Sequence, residues 1–243
     1  MQLVILFIVL ALISEVAGTV GGFGSSAFFV PIAGFFFDFH TVLAITAVFH
    51  VFSNISKLIL FRKTVNYRLV LLAGIPGILM VITGAVLSKY LQFQYSELIL
   101  GIFVFIFSAT LLIFNEIKLS RSNINVISGG GIAGFLAGII GTGGAVRGLV
   151  LAAFDLEKNT FIATSATIDF GIDSSRTVVY LNSGYLKQEF YLYIPLLIGV
   201  AWVGSYIGKL LLNHINQETF KKIVLISLLL IGITSIFKGL FNY

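Results

Sequence analysis

Asp169, Asp173 and Arg176 stand at i, i+4 and i+7 in one otherwise apolar stretch. On a helix that spacing puts two carboxylates and a guanidinium on one face. Upstream, His50, Asn54 and Lys57 repeat the spacing with a different set of side chains. His50 and Asp169 fall near the middle of their apolar stretches, where an ionisable group is costly and marks a functional position. A carboxylate or an imidazole there can take up a proton and couple its movement to that of a solute. Plainer readings stand beside this one. Asp173 and Arg176 can form an intrahelical ion pair, Lys57 and Arg176 can snorkel to the helix ends, and His50 can be a neutral packing residue. His50, Asn54, Asp169 and Asp173 could gather, but no ligand spacing demands a metal, and no cofactor motif is present.

Two glycine-rich stretches carry the second set of candidates. They are Gly18-Thr19-Val20-Gly21-Gly22-Phe23-Gly24, followed by Ser25 and Ser26, and Gly138-Ile139-Ile140-Gly141-Thr142-Gly143-Gly144. A helix broken at membrane depth exposes free N–H groups and a positive dipole end, both suited to an anion. Gly21, Gly24, Ser25, Gly141, Thr142, Gly143 and Gly144 are therefore candidate substrate contacts. Small residues also serve close helix packing. A phosphate-binding P-loop is excluded, because no Gly-Lys-[Ser/Thr] follows either stretch. Arg147 lies three residues past Gly144. It suits an oxyanion by charge and by its bidentate fork. A structural pairing with Asp155 or Asp169 is the competing reading.

The elements that must position these residues are apolar helices. The 243-residue chain is 58% hydrophobic and 10% charged, with a mean hydropathy of +1.06. A soluble domain carries roughly 25% charged residues, so most of this surface must face lipid. Long continuous apolar runs, without strand-like alternation, point to helices rather than a barrel. The expected segments are Leu3–Ala17, Ser25–Phe37, Thr41–Phe61, Leu69–Leu91 and Glu97–Phe114. After them come Thr160–Leu181, Glu189–Leu211 and Glu218–Phe237. With no cysteine, thiolate sites and disulfides are excluded. The net charge of +5 sits in short loops, which fits the positive-inside rule rather than nucleic-acid binding. The first apolar run is not followed by a cleavage pattern and is kept as part of the fold.

The two halves align, which predicts one membrane repeat over 1–115, a polar linker over 116–125 and a second repeat over 126–243. Gly18, Gly21 and Gly24 match Gly138, Gly141 and Gly144, and Ala44-Ile45-Thr46-Ala47 matches Ala163-Thr164-Ser165-Ala166. His50, Asn54 and Lys57 match Asp169, Asp173 and Arg176; Gly84 and Lys89 match Gly204 and Lys209. Leu3–Ala17 and Ser25–Phe37 would each be about 20 Å long, short of a hydrocarbon core of about 30 Å, so they are expected to form a re-entrant hairpin. Each half then has three full spans and the repeats are inverted. That arrangement puts Arg62, Lys63, Arg68, Lys118, Arg121, Lys158, Lys209, Lys221 and Lys222 on one face, against Lys89, Lys187 and Lys238 on the other. A single crossing through each break is the alternative.

The stretch Gly141-Thr142-Gly143-Gly144-Ala145-Val146-Arg147-Gly148, with Tyr180-Leu181 after Arg176, resembles the sulfite exporter TauE/SafE family, and the likeness covers nearly the whole chain. Pro31 follows the first break as in that family; Leu151 stands in its place after the second, so the two half-sites differ. The resemblance implies a multi-pass permease of the prokaryotic cytoplasmic membrane for sulfite, sulfonates or related organic anions. The expectation is a secondary transporter, with an anion channel and an intramembrane enzyme as alternatives. No HExxH, GxSxG or close Glu/His cluster supports the enzyme. The implied partners are a small anion, the lipid bilayer, and a coupling proton or cation; a homo-oligomer is compatible with the sequence.

Overall fold

A computed structural model of the protein describes residues 2–61, 65–90, 122–152, 154 and 156–241, with 98, 101, 102, 105, 106, 109, 112 and 113 between. Its helices are α1 (Gln2–Gly21), α2 (Ser26–Ala33), α3 (Phe39–Phe61), α4 (Tyr67–Leu87), α5 (Asn123–Ile140), α6 (Gly144–Ala152), α7 (Lys158–Asn182), α8 (Tyr193–Asn213) and α9 (Gln217–Phe241). No strand occurs among the described residues. Helices α1, α3, α4, α5 and α8 are long and apolar enough to cross a membrane. Leu71, Ile75 and Leu79 of α4 and Leu196, Val203 and Leu210 of α8 face outward as lipid-facing side chains would. The expected span Glu97–Phe114 and the linker up to Arg121 lie largely outside the described residues.

Several element ends differ from expectation. Helix α1 continues past Ala17 to Gly21, giving 20 residues and a length of about 30 Å rather than about 20 Å. Gly18 and Thr19 stay helical because both lie on a packed face. A Cβ on Gly18 would sit 2.4 Å from the Ser25 Cα, and Thr19 packs against Gly208. Helix α2 has only eight residues, stopping where the Gly34 N–H reaches back to Ile32 and Val30. Helix α5 starts at Asn123, three residues before Val126, because the Ser122 hydroxyl accepts the Asn125 N–H at 3.2 Å and caps it.

Contacts along the helices fix their directions. Gly130, Gly134 and Gly138 of α5 meet Ala73, Gly77 and Val81 of α4 in step, so these two run parallel. A Cβ on Gly134 would lie 2.1 Å from the Gly77 carbonyl oxygen, a separation only glycine allows. Glu15 and Thr19 of α1 meet Gly204 and Gly208 of α8, again in parallel. Ser56 bonds Ser205 at 2.7 Å and the Lys209 ammonium donates to the Leu60 carbonyl at 2.9 Å, so α3 shares that direction. Helices α3 and α7 are antiparallel. His40 meets Tyr185 at one end, Asn54 meets Asp173 in the middle, and the Asn66 N–H donates to Thr164 at the other. Helix α4 runs with α7, since Asn66 meets Thr164 and Ser88 meets Tyr185. So α1, α3 and α8 point one way and α4, α5 and α7 the other. Because α1 and α3 are parallel, the chain through α2 must turn back between them; α6 is the equivalent return between α5 and α7.

The two ends of the bundle are unlike. At the end bearing the start of α3, Phe7, Phe37, Phe190 and Tyr193 pack edge to face. Asp38 there lies 3.6 Å from Lys187. Burial raises the Asp38 carboxyl, but its two hydrogen bonds from Thr41 and the Lys187 charge outweigh that and hold it below the usual value. At the other end a cavity of about 200 Å³ opens among Asn66, Arg68, Leu72, Asn123 and Phe154.

Candidate functional site

The chain leaves α1 through Gly22 and Gly24, at φ +78° and +91°. L side chains rarely adopt that conformation, so glycine is required there. Ser25 then starts α2 without capping it. Its hydroxyl instead donates to Glu15 Oε2 at 2.6 Å and lies 3.0 Å from His50 Nε2. The first-turn N–H groups of α2 are thus left without a side-chain cap. Between α5 and α6, Gly141 takes φ +78° and caps α5 through Ala137.

These two segments touch each other. A Cβ on Gly144 would lie 2.3 Å from the Phe23 carbonyl oxygen. Thr142 Oγ1 reaches Ser26 Oγ at 3.4 Å, and Arg147 Nη2 donates to the Phe23 carbonyl at 2.9 Å. Gly24, Ser25, Thr142, Gly144 and Arg147 therefore converge. Gly21 and Gly143 do not join them: Gly21 is the last residue of α1, beside the Phe23 ring, and Gly143 packs against the Ala133 carbonyl.

Every ionisable candidate is buried and partnered. Arg147 is 2% exposed, and its two terminal nitrogens hold both oxygens of Asp169. Its Nε donates to Ser165 Oγ at 3.2 Å. Asp155 lies outside the described residues. Arg176 Nε donates to Asp173 Oδ1 at 2.7 Å, and its Nη1 donates to the Ala137 and Gly141 carbonyls at 3.1 and 2.8 Å. It thereby caps the C-terminus of α5, where a positive charge is favoured. Asn54 Nδ2 donates to Asp173 Oδ2 at 2.7 Å, and His50 Nδ1 is 3.9 Å from the same oxygen. Neither Lys57 nor Arg176 snorkels. Lys57 Nζ sits 2.8 Å from Glu15 Oε1 and 2.7 Å from Ser53 Oγ.

Glu15 is the residue that the motifs missed. It is fully buried, and Ser25, Ser53 and Ser205 each donate to it, at 2.6, 2.7 and 2.8 Å. A signal existed, because Glu15 has the only ionisable side chain between Met1 and Phe37. A lone carboxylate in such an apolar run needs a partner.

The site is thus three acid–base pairs: Glu15 with Lys57, Asp169 with Arg147, and Asp173 with Arg176. Between them lies a crevice too narrow to admit a water molecule, lined by Gly22, Gly24, Asn54, Lys57, Ser165 and Asp169. The Thr46 hydroxyl is the one buried side-chain oxygen or nitrogen among the described residues with no hydrogen-bond partner. No group of three His, Asp or Glu is placed to hold a metal among those residues.

The chain is 26% identical, over 97% of its length and 99% of the relative's, to a protein of Bacillus subtilis (strain 168) described as probable membrane transporter protein YunE. No solved structure matches. The sequence model of the sulfite exporter TauE/SafE family matches residues 6–235. Matched over nearly its whole length and carrying several helices long and apolar enough to cross a membrane, the chain belongs to the sulfite exporter TauE/SafE family and is a membrane transporter of the cell membrane rather than an enzyme.

Proposed function

We propose that this transporter carries a small anion, such as sulfite, a sulfonate or a related organic anion, and binds it in the crevice where the two glycine-rich segments meet. The observation that carries this reading is the Arg147–Asp169 pair. A guanidinium buried at membrane depth spans both segments, and a carboxylate fills its fork. A carboxylate and a sulfur oxyanion present similar pairs of acceptor oxygens, so Asp169 stands where the substrate would bind. The anion enters by displacing Asp169 from Arg147. The displaced carboxylate, or His50 on the facing helix, then takes up the coupling proton. Gly24, Ser25, Thr142, Gly144 and the α2 N-terminus supply further donors. Lys57, Asn54, Asp173 and Arg176 line or brace the same region.

The chain is read as two inverted repeats, 1–115 and 126–243, joined by 116–125. Two observations support this. The matching helices α3 and α7 run antiparallel, and Asn54 bonds Asp173, its own counterpart in the alignment. A residue meets its counterpart on the axis that relates two copies. Inverted repeats allow a site near the middle to open to either side in turn, as secondary transporters require. The reading is tested with purified protein in liposomes. Saturable sulfite flux driven by a pH gradient is expected, and a large unitary anion conductance would contradict it.

A further inference from the structure

We propose that Glu15 is a proton-binding site of this transporter, and that protonating it unmasks Lys57 as a second cation in the substrate crevice. The inference rests on the anion-transport reading above and deepens it.

Packing does not explain the charge on Glu15. Helices α1 and α8 meet through Gly204 and Gly208, just as α5 and α4 meet through glycines. Gly204, the counterpart of Gly84, meets the Glu15 side chain, whereas Gly84 meets the backbone of Phe135. Phe135 is also what the alignment places opposite Glu15, 120 residues on. A close helix pair is thus built with an apolar residue at that position. Yet here a carboxylate is kept inside the membrane, and α2, α3 and α8 each turn a hydroxyl onto it. Intramembrane carboxylates are expensive and mark proton and ion pathways.

A proton route ends on Glu15. The Ser25 hydroxyl bridges Glu15 Oε2 at 2.6 Å and His50 Nε2 at 3.0 Å, and His50 Nδ1 lies 3.9 Å from Asp173. A proton arriving at His50 Nδ1 lets the ring give its Nε2 proton to the Ser25 oxygen, while Ser25 passes its own proton to Glu15. One proton has moved, His50 ends neutral with Nδ1 protonated, and Ser25 is unchanged. Neutral Glu15 no longer balances the Lys57 ammonium. Lys57 lines the crevice beside Gly24, Asn54 and Asp169, so its freed charge faces the place where the anion binds. Each proton taken up creates one unbalanced positive charge for the anion. Of the charged groups, Lys57 of α3 contacts Glu15 directly, His50 of α3 reaches it through Ser25, and Asp173 of α7 with its partner Arg176 lies beyond His50. Helices α2 and α8 contribute the hydroxyls of Ser25 and Ser205.

The test is the proton-to-anion ratio, read from the opposing pH gradient that halts net flux of sulfite or of a small alkanesulfonate in proteoliposomes of the full chain. Glu15→Gln keeps the shape of the side chain and is expected to lower the ratio by one proton. If the lone Lys57 charge prevents that variant from folding, Glu15→Gln with Lys57→Met leaves no unpaired charge and should lower the ratio equally. An unchanged ratio in either variant overturns the role of Glu15 and leaves the transporter reading standing. A wild type that carries neither anion overturns the transporter reading, and this inference with it.

Discussion

At the scale of single residues, the proposed chemistry rests on the buried pair of Arg147 and Asp169. Breaking a buried ion pair by removing one partner costs about 3–5 kcal/mol, because the other charge is left uncompensated. Asp169→Asn should therefore lower thermal stability in the absence of ligand, and sulfite should restore more of that loss than it adds to the wild type. Thermal denaturation with and without sulfite checks this; equal shifts in both proteins would mean that Asp169 does not compete with the anion. Thr46→Val makes a separate case. Removing an unpaired buried hydroxyl should raise stability by about 1 kcal/mol, as thermal denaturation would show. A drop in stability would show that the hydroxyl has a partner. The sequence showed Arg147, Asp169, Asp173 and Arg176 because charges stand out in an apolar run. The Asp173–Arg176 pair was legible from its i, i+3 spacing, but the choice of Asp169 as the partner of Arg147 was not, since the two come together only when α6 folds back on α7. Glu15 was overlooked for the same reason. Its partners Ser53, Lys57 and Ser205 come from helices far along the chain.

At the scale of elements, glycine serves two purposes that sequence spacing alone does not separate. Gly22, Gly24 and Gly141 are turns in left-handed conformation. Gly130, Gly134 and Gly138, at i, i+4 and i+8, are contact points of α5 on α4. Gly144 belongs to neither set and is where one glycine-rich segment meets the other. Gly144→Val would push the Phe23 carbonyl away and with it a ligand of Arg147. The variant should insert and fold but carry no anion. Gly134→Leu, whose Cβ would lie 2.1 Å from the Gly77 oxygen, should instead prevent α4 and α5 from assembling. Size-exclusion profiles and sulfite flux of the two variants separate these outcomes; normal flux through Gly144→Val would remove the glycine segments from the site. Helix existence was legible from hydropathy. Helix ends were not, because Gly18 and Gly21 look like breakers until the face they pack on is known.

At the scale of the whole molecule, the proposed inverted repeats would explain why equivalent positions carry different side chains. In the proposed arrangement the axis passes by Asn54 and Asp173, which bond each other, and each half contributes a different group to one shared site. The arrangement also predicts topology. Single cysteines at Asn123 and Asn182 should be labelled from opposite sides of the membrane, Asn123 from the cytoplasm; labelling from one side would refute it. The repeats are proposed from the sequence because small and polar residues recur in it at a near-constant shift. The direction of each helix needed contacts. The central claim remains that a buried arginine, released from its aspartate, holds the transported anion. Equilibrium binding of sulfite to purified wild type, Arg147→Lys and Arg147→Ala tests it most directly. The account predicts intermediate affinity for Arg147→Lys, which keeps the charge but loses the fork, and a loss of about a hundredfold for folded Arg147→Ala, or about 3 kcal/mol. Folded Arg147→Ala that binds sulfite with wild-type affinity would contradict it.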